Sequence, residues 1–271
     1  MKRLLSLISI LLVTLTVGAQ HIVILDGEFG ILNIDDNKRV RISSKYPPGP
    51  YQESDFYEFI KTKDSIAARS AVGIEKLSNE LFSTSSYEQY PSAFPIRNNC
   101  FYVAPTGSVL SVNYDDRKRI HEIRSVISGS PKNDLSKHLY VTTFTYYDDT
   151  TVLELVQPPQ FNASLSVFSL TADSTLKEIK TAVISLDTFD ISSHFQDLQF
   201  QEATKFNYDK TGKNLLNIQY FQKKTKSNNW ALLKTHYFRY KKNRPVNSFV
   251  IDEKTKKTIY VQKYEYLHHT F

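Results

Sequence analysis

From Cys100 onward the chain alternates apolar and polar positions in runs of about six to ten residues, each broken by a short polar stretch. Five segments share one design: VNYDDRKRIHEIRSV from Val112, FTYYDDTTVLELV from Phe144, FSLTADSTLKEIKTAVI from Phe168, FNYDKTGKNLLNIQYF from Phe206 and FVIDEKTKKTIYVQKY from Phe249. In each, apolar and aromatic residues run into an Asp, a few small or charged residues follow, and an alternating strand returns. That is a hairpin whose Asp carboxylate can hold the turn by accepting backbone amides two residues on. Gly212 stands where the tightest of these turns calls for positive φ. The polar runs at 223–229 and 241–245 add two more turns, so the C-terminal half predicts successive hairpins.

The N-terminal part reads differently. Ile22–Leu25 and Ile31–Ile34 are short apolar runs between turn residues, and prolines at 47, 48 and 50 impose an extended connector. Phe56, Ile60, Ile66, Val72, Leu77, Leu81 and Phe82 then recur at roughly helical spacing after a capping Ser54. This predicts helix across residues 54–82, with a break near Lys63–Ser65. The expected fold is mainly β, or α+β: an antiparallel β-meander, as a curved sheet or incomplete barrel, with a small N-terminal strand and helix region. The expected divisions are 1–19, 20–98 and 99–271.

The Asp centres at 115, 148, 173, 209 and 252 are separated by 33, 25, 36 and 43 residues, too uneven for a solenoid or propeller repeat. The Tyr-Asp turns resemble the tyrosine-aspartate repeats of bacterial secreted β proteins. They lack the regular glycines of such repeats, so the resemblance implies a hairpin architecture and transfers no catalytic residue.

Residues 1–19 combine Lys2 and Arg3, an apolar run from Leu4 to Val17, and small residues before Gln20, the pattern of a cleavable export signal. The apolar core is shorter than the ~20 residues a membrane span needs. The expected location is the periplasm, the outer-membrane periphery or the exterior. Cys100 is the sole cysteine and cannot bridge internally.

Phe and Tyr number 17 each against 8 Gly, which favours packed strand faces over glycine-rich phosphate loops. Net charge is +6, unevenly spread: between Phe221 and Lys263 stand 12 Lys or Arg against Asp252 and Glu253. A basic C-terminal face fits an anionic glycan, lipopolysaccharide or an envelope protein as partner, and equally fits lysine-rich turns that stay soluble and guard strand edges. Nucleic acid is excluded as a partner by export.

Letter matches to serine acyl-transferase motifs occur at Ser174–Lys177, Lys210–Gly212 and Ser227–Asn229, in the wrong order and in predicted turns. No cofactor motif is present. Asp187, Asp190, His194 and Asp197 would share a face if helical and could ligate a metal; the alternative is a connector with Phe189, Ile191 and Phe195 packed inward. Trp230, Tyr260, Tyr264 and Tyr266, beside Lys241 and Lys242, could form an aromatic and basic binding surface, or be core and cross-strand pairs. A terminal barrel strand counted back from Phe271 would turn Glu265 and Lys263 to lipid, which argues against an outer-membrane barrel. The function expected is a non-enzymatic exported binding or scaffolding protein. The alternative is a carbohydrate-active or metal-assisted hydrolase with its site at 187–197.

Overall fold

A computed structural model describes residues 20–25, 28–33, 39–51, 56–61, 66–71, 93–97, 100–103, 107–127, 137–159, 161–172, 175–185, 195, 198–212, 214–224, 228–242 and 244–267. Its strands are β1 (Gln20–Leu25), β2 (Glu28–Asn33), β3 (Arg39–Lys45), β4 (Phe56–Lys61), β5 (Ile66–Ala71), β6 (Ala93–Arg97) and β7 (Cys100–Val103). They continue as β8 (Gly107–Tyr114), β9 (Ile120–Ile127), β10 (Leu139–Tyr146), β11 (Thr151–Gln157), β12 (Ala163–Leu170) and β13 (Leu176–Ile184). The last are β14 (Glu202–Tyr208), β15 (Leu215–Lys223), β16 (Trp230–Lys241), β17 (Arg244–Asp252) and β18 (Thr258–Leu267).

All 18 strands belong to one sheet. From β8 to β18 each strand pairs antiparallel with the next in sequence, through short hairpin turns except at the longer connections 128–138 and 185–201. β18 then pairs with β3, and the sheet continues through β4, β5, β6 and β7. β7 runs parallel to β1, and β1 pairs with β2. The sheet is open: among the described residues β8 and β2 have one strand neighbour each. The antiparallel β-meander is therefore present from Gly107 on, while β7, at Cys100, pairs with β6 and β1 instead.

The helix expected across residues 54–82 is not. Phe56–Lys61 and Ile66–Ala71 form a hairpin, with Phe56 opposite Ala71, Glu58 opposite Arg69 and Ile60 opposite Ala67. A spacing of four residues serves a helix of period 3.6 and equally a strand of period 2. Phe56, Tyr57, Phe59 and Ile60 are residues that favour strands, and the expected break at Lys63–Ser65 falls in the connection between β4 and β5. Residues 72–82 of that expectation, and the signal at 1–19, lie outside the described residues.

Strand alternation divides the meander into two faces. The main face carries Ile120, Ile123, Phe144, Val152, Phe168, Leu170, Leu176, Ile179, Phe206, Leu215, Ile218 and Phe238 in one buried cluster. The reverse face carries a second cluster, Leu153, Leu155, Ala163, Leu165, Val167, Ala182 and Ile184, confined to β11–β13. Phe195, in the connection from β13 to β14, lies on it with Leu198 and Phe200. β11 and β12 are thus buried on both sides along most of their length, Glu154 and Ser166 included.

The hairpins are linked by tyrosines. The Tyr208 hydroxyl at the end of β14 donates to the Leu176 carbonyl at the start of β13, 2.9 Å away. The Tyr240 hydroxyl at the end of β16 donates to the Leu215 carbonyl at the start of β15, also at 2.9 Å. Each tyrosine buries its ring on the main face and brings its hydroxyl to an acceptor, as a buried phenol requires.

The turns follow the carboxylate logic of the sequence. Asp115 Oδ1 accepts from the Arg117 amide at 3.0 Å and the Arg119 amide at 2.8 Å. Asp148, Asp209 and Asp252 Oδ1 accept the amides of Thr150, Thr211 and Thr255. In the β12–β13 turn Asp173 lies outside the described residues, and Thr171 Oγ1 accepts the Thr175 amide at 3.0 Å. Gly212 has φ +70° as expected, while Lys118, Lys242 and Lys256 hold the corresponding left-handed positions at 59°, 51° and 57°.

Candidate functional site

Carboxylates stand at the hairpin tips, where they could serve as acid, base or metal ligand. A cleft of about 420 Å³ opens between the β8–β9 and β10–β11 turns, lined by Asp115, Arg119, Tyr146, Asp148 and their neighbours. Two of its carboxylates, Asp115 and Asp148, are committed to the turns. Arg119 Nε donates to Asp115 Oδ2 at 2.8 Å, and its guanidinium lies 3.9 Å from the Tyr146 ring centre. Burial pushes the Asp115 carboxyl up, but the Arg119 hydrogen bonds and charge outweigh it and hold it below the usual range. The Thr150 amide does most to hold Asp148 low. Such groups are poor proton donors near neutral pH and already have their acceptor sites filled.

Asp187, Asp190, His194 and Asp197 lie outside the described residues. Among the described residues no group of three or more His, Cys, Asp or Glu is placed to hold a metal ion. Phe195, from the same connection, packs inward at 8% exposure, the place the connector reading assigned it.

The aromatic candidates do not converge. Trp230 opens β16, exposed at 39% and paired with Lys223, whereas Lys241 closes the same 12-residue strand. At about 3.3 Å per residue they stand some 36 Å apart. Tyr260, Tyr264 and Tyr266 share the main face of β18, but Tyr264 is 6% exposed and is therefore a core residue rather than an exposed platform. Its hydroxyl donates to Gln262 Oε1 at 2.8 Å and lies 3.2 Å from Ser248 Oγ; burial raises its pKa. Tyr260 is half-buried against Tyr46 with ring centres 5.0 Å apart, and Tyr266 lies under the Arg244 guanidinium at 5.5 Å. Lys241 and Lys242 are exposed at the β16–β17 tip.

The reverse face of β14–β18, beyond the patch that Phe195 covers, carries a surface the sequence reading did not single out. Tyr237 and Phe249 stack across β16 and β17, ring centres 5.3 Å apart and planes inclined by 19°. The Arg239 guanidinium lies 5.1 Å from the Phe249 ring, and Lys205 Nζ lies 5.4 Å from Phe221. Lys263 and Lys45 approach the Tyr51 ring at 4.3 and 4.6 Å. Asn207 Nδ2 donates to Asn217 Oδ1 at 2.8 Å and Gln219 Oε1 at 3.2 Å, forming an amide ladder beside the aromatic pair. The signal was present as alternation: Lys205 and Asn207, then Asn217, Gln219 and Phe221, then Tyr237 and Arg239 occupy every second position of consecutive strands. Reading it needed the register, because each residue becomes a neighbour of the next only when the strands are aligned.

No protein-family model matches the chain, and no curated protein does. A solved LolA superfamily protein from Nitrosomonas europaea is similar over 88% of this chain and 88% of its own, at 9% identity and a TM-score of 0.31. A likeness at that score carries no argument about fold or function. Among the described residues no helix is long and apolar enough to cross a membrane, which says nothing of spanning by strands.

Proposed function

We propose that this chain is a non-enzymatic, exported envelope protein that binds an anionic glycan on the reverse face of β14–β18. One observation carries the reading: cations, aromatic rings and side-chain amides alternate there on aligned strands. Amides and hydroxyls exchange hydrogen bonds with sugars, ring surfaces take their apolar C–H edges, and the cations select for charge. The net excess of basic residues between Phe221 and Lys263 supplies the matching field. Lys241, Lys242 and Trp230 flank this surface at its two ends.

The test is binding of the protein without residues 1–19 to an array of acidic and neutral glycans at low and high salt. The reading expects acidic glycans to be retained and retention to fall as salt screens the cations. Retention of no anionic polymer overturns it. Capture of neutral sugars alone, unaffected by salt, removes the cations from the account.

A further inference from the structure

Across the reverse face, Arg239 on β16, Asn247 on β17 and Lys263 on β18 stand opposite one another in one row. Neighbouring strands lie about 4.8 Å apart, so the three backbone positions span about 10 Å with the amide in the middle. Arg239 and Lys263 are exposed, and neither forms an ion pair with a carboxylate among the described residues. Each is instead held over a ring, Arg239 over Phe249 at 5.1 Å and Lys263 over Tyr51 at 4.3 Å. A ring face positions a cation without neutralising it, so both charges remain available to an anion.

Asn247 is the unusual member. Its Oδ1 is buried with no hydrogen-bond partner. An orphaned buried acceptor works against folding, and valine in that strand position would not carry the cost. With Oδ1 turned inward, Nδ2 is the amide's outward group, and the row offers donors only: guanidinium, amide N–H and ammonium.

We propose that Arg239, Asn247 and Lys263 form a subsite for the carboxylate of a uronic acid, with the adjoining Tyr237–Phe249 pair against the sugar's apolar edge. This rests on the glycan reading above and names the chemistry the surface selects. Donors set in a line suit a planar carboxylate, whose two oxygens match the guanidinium fork, better than a tetrahedral sulfate or phosphate. Glu265 lies two residues beyond Lys263 on the same face, opposite Arg41 on β3, and so limits the subsite at that end.

The experiment measures affinity for a polyuronate, a sulfated galactan and neutral dextran, with thermal stability recorded for every variant. Asn247→Val is expected to keep or raise Tm while weakening polyuronate binding about tenfold, as loss of one charge-assisted hydrogen bond implies. Arg239→Gln should weaken it similarly. Lys177→Gln, exposed on β13 three strands away from Arg239, should change it less than about twofold. A fall in Tm for Asn247→Val assigns the amide to the fold and overturns its role here. Wild-type binding to polyuronate that neither Asn247→Val nor Arg239→Gln alters overturns the subsite and leaves the glycan reading standing. Sulfated galactan bound as tightly, with the same losses, overturns the carboxylate assignment. Absence of binding to both acidic polymers overturns subsite and glycan reading together.

Discussion

The reverse face of the sheet has two unlike stretches. Over β11–β13 it is aliphatic, Leu153, Leu155, Leu165, Val167, Ala182 and Ile184, and the connection that follows β13 lays Phe195 across it. Over β14–β18 the corresponding positions are Lys205, Asn207, Asn217, Gln219, Tyr237, Arg239, Asn247 and Lys263, which are exposed or half-buried. The strands themselves are alike in length and pairing. What differs is the side chain at every second position, so a constant backbone pattern yields a closed core in one place and a more open, polar face in the other.

Truncating a ring on each stretch tests this most strongly. Phe195→Ala removes the cover of a buried aliphatic patch and should cost about 3–4 kcal/mol, whereas Phe249→Ala, half-buried on the open stretch, should cost about 1–2 kcal/mol. Urea denaturation of both decides it; equal costs would show the two stretches to be equally buried. The main face, which both regions share, has its own irregularity in His236. Its side chain is 5% exposed, lies tilted against Phe238 with ring centres 4.2 Å apart, and has Nε2 buried without a partner. Burial, then the Lys234 charge, push its pKa from 6.5 down to about 4. The unfolded chain therefore takes up a proton more readily than the folded one. Stability is full above about pH 6.5 and should fall by about 3 kcal/mol as pH drops toward 4. His236→Leu should flatten that part of the pH profile, and an unchanged slope would assign the loss to other groups.

Smaller effects probe whether the two regions are joined in the same way. Tyr240→Phe deletes the hydroxyl that donates to the Leu215 carbonyl, for about 1 kcal/mol. Tyr208→Phe, which acts at the boundary between the regions, should match it. Unequal costs would mean that one junction is looser. At the tips no difference between regions is expected. Gly212→Lys should cost about 1 kcal/mol from φ alone, since a Cβ there meets nothing within 4 Å. Lys118→Gly should gain a few tenths of a kcal/mol. Thermal melts of the pair check both signs.

The turns were legible in the sequence because their chemistry is local: Asp115, Asp148, Asp209 and Asp252 each bond an amide two or three residues on. The meander was legible because period-2 alternation survives whatever the neighbours are. Residues 56–71 were misread because Phe56 and Ile60 satisfy two periods at once, and only pairing with Ala71 and Ala67 resolves them. The candidate surface was half legible. Aromatic and basic residues were recognised at the C-terminal end, but Tyr264 proved to face the core, and Arg239, Asn247 and Lys263 become neighbours only across three strands. Short strand irregularities, such as the shift between Tyr220 and Phe221, defeat simple counting of faces along β16.

The pairing of β18 with β3 has a consequence for how the molecule assembles. Along most of the meander a strand meets its neighbour after one short turn, the longer connections being 128–138 and 185–201, so loop-closure entropy is small and these hairpins can form early. Tyr264 meets Ile42, and Val261 meets Lys45, only across nearly the whole length of the chain. That contact carries a larger closure cost and belongs to the late side of the folding barrier. Substitutions along the β18–β3 seam should therefore speed unfolding while leaving the folding rate almost untouched.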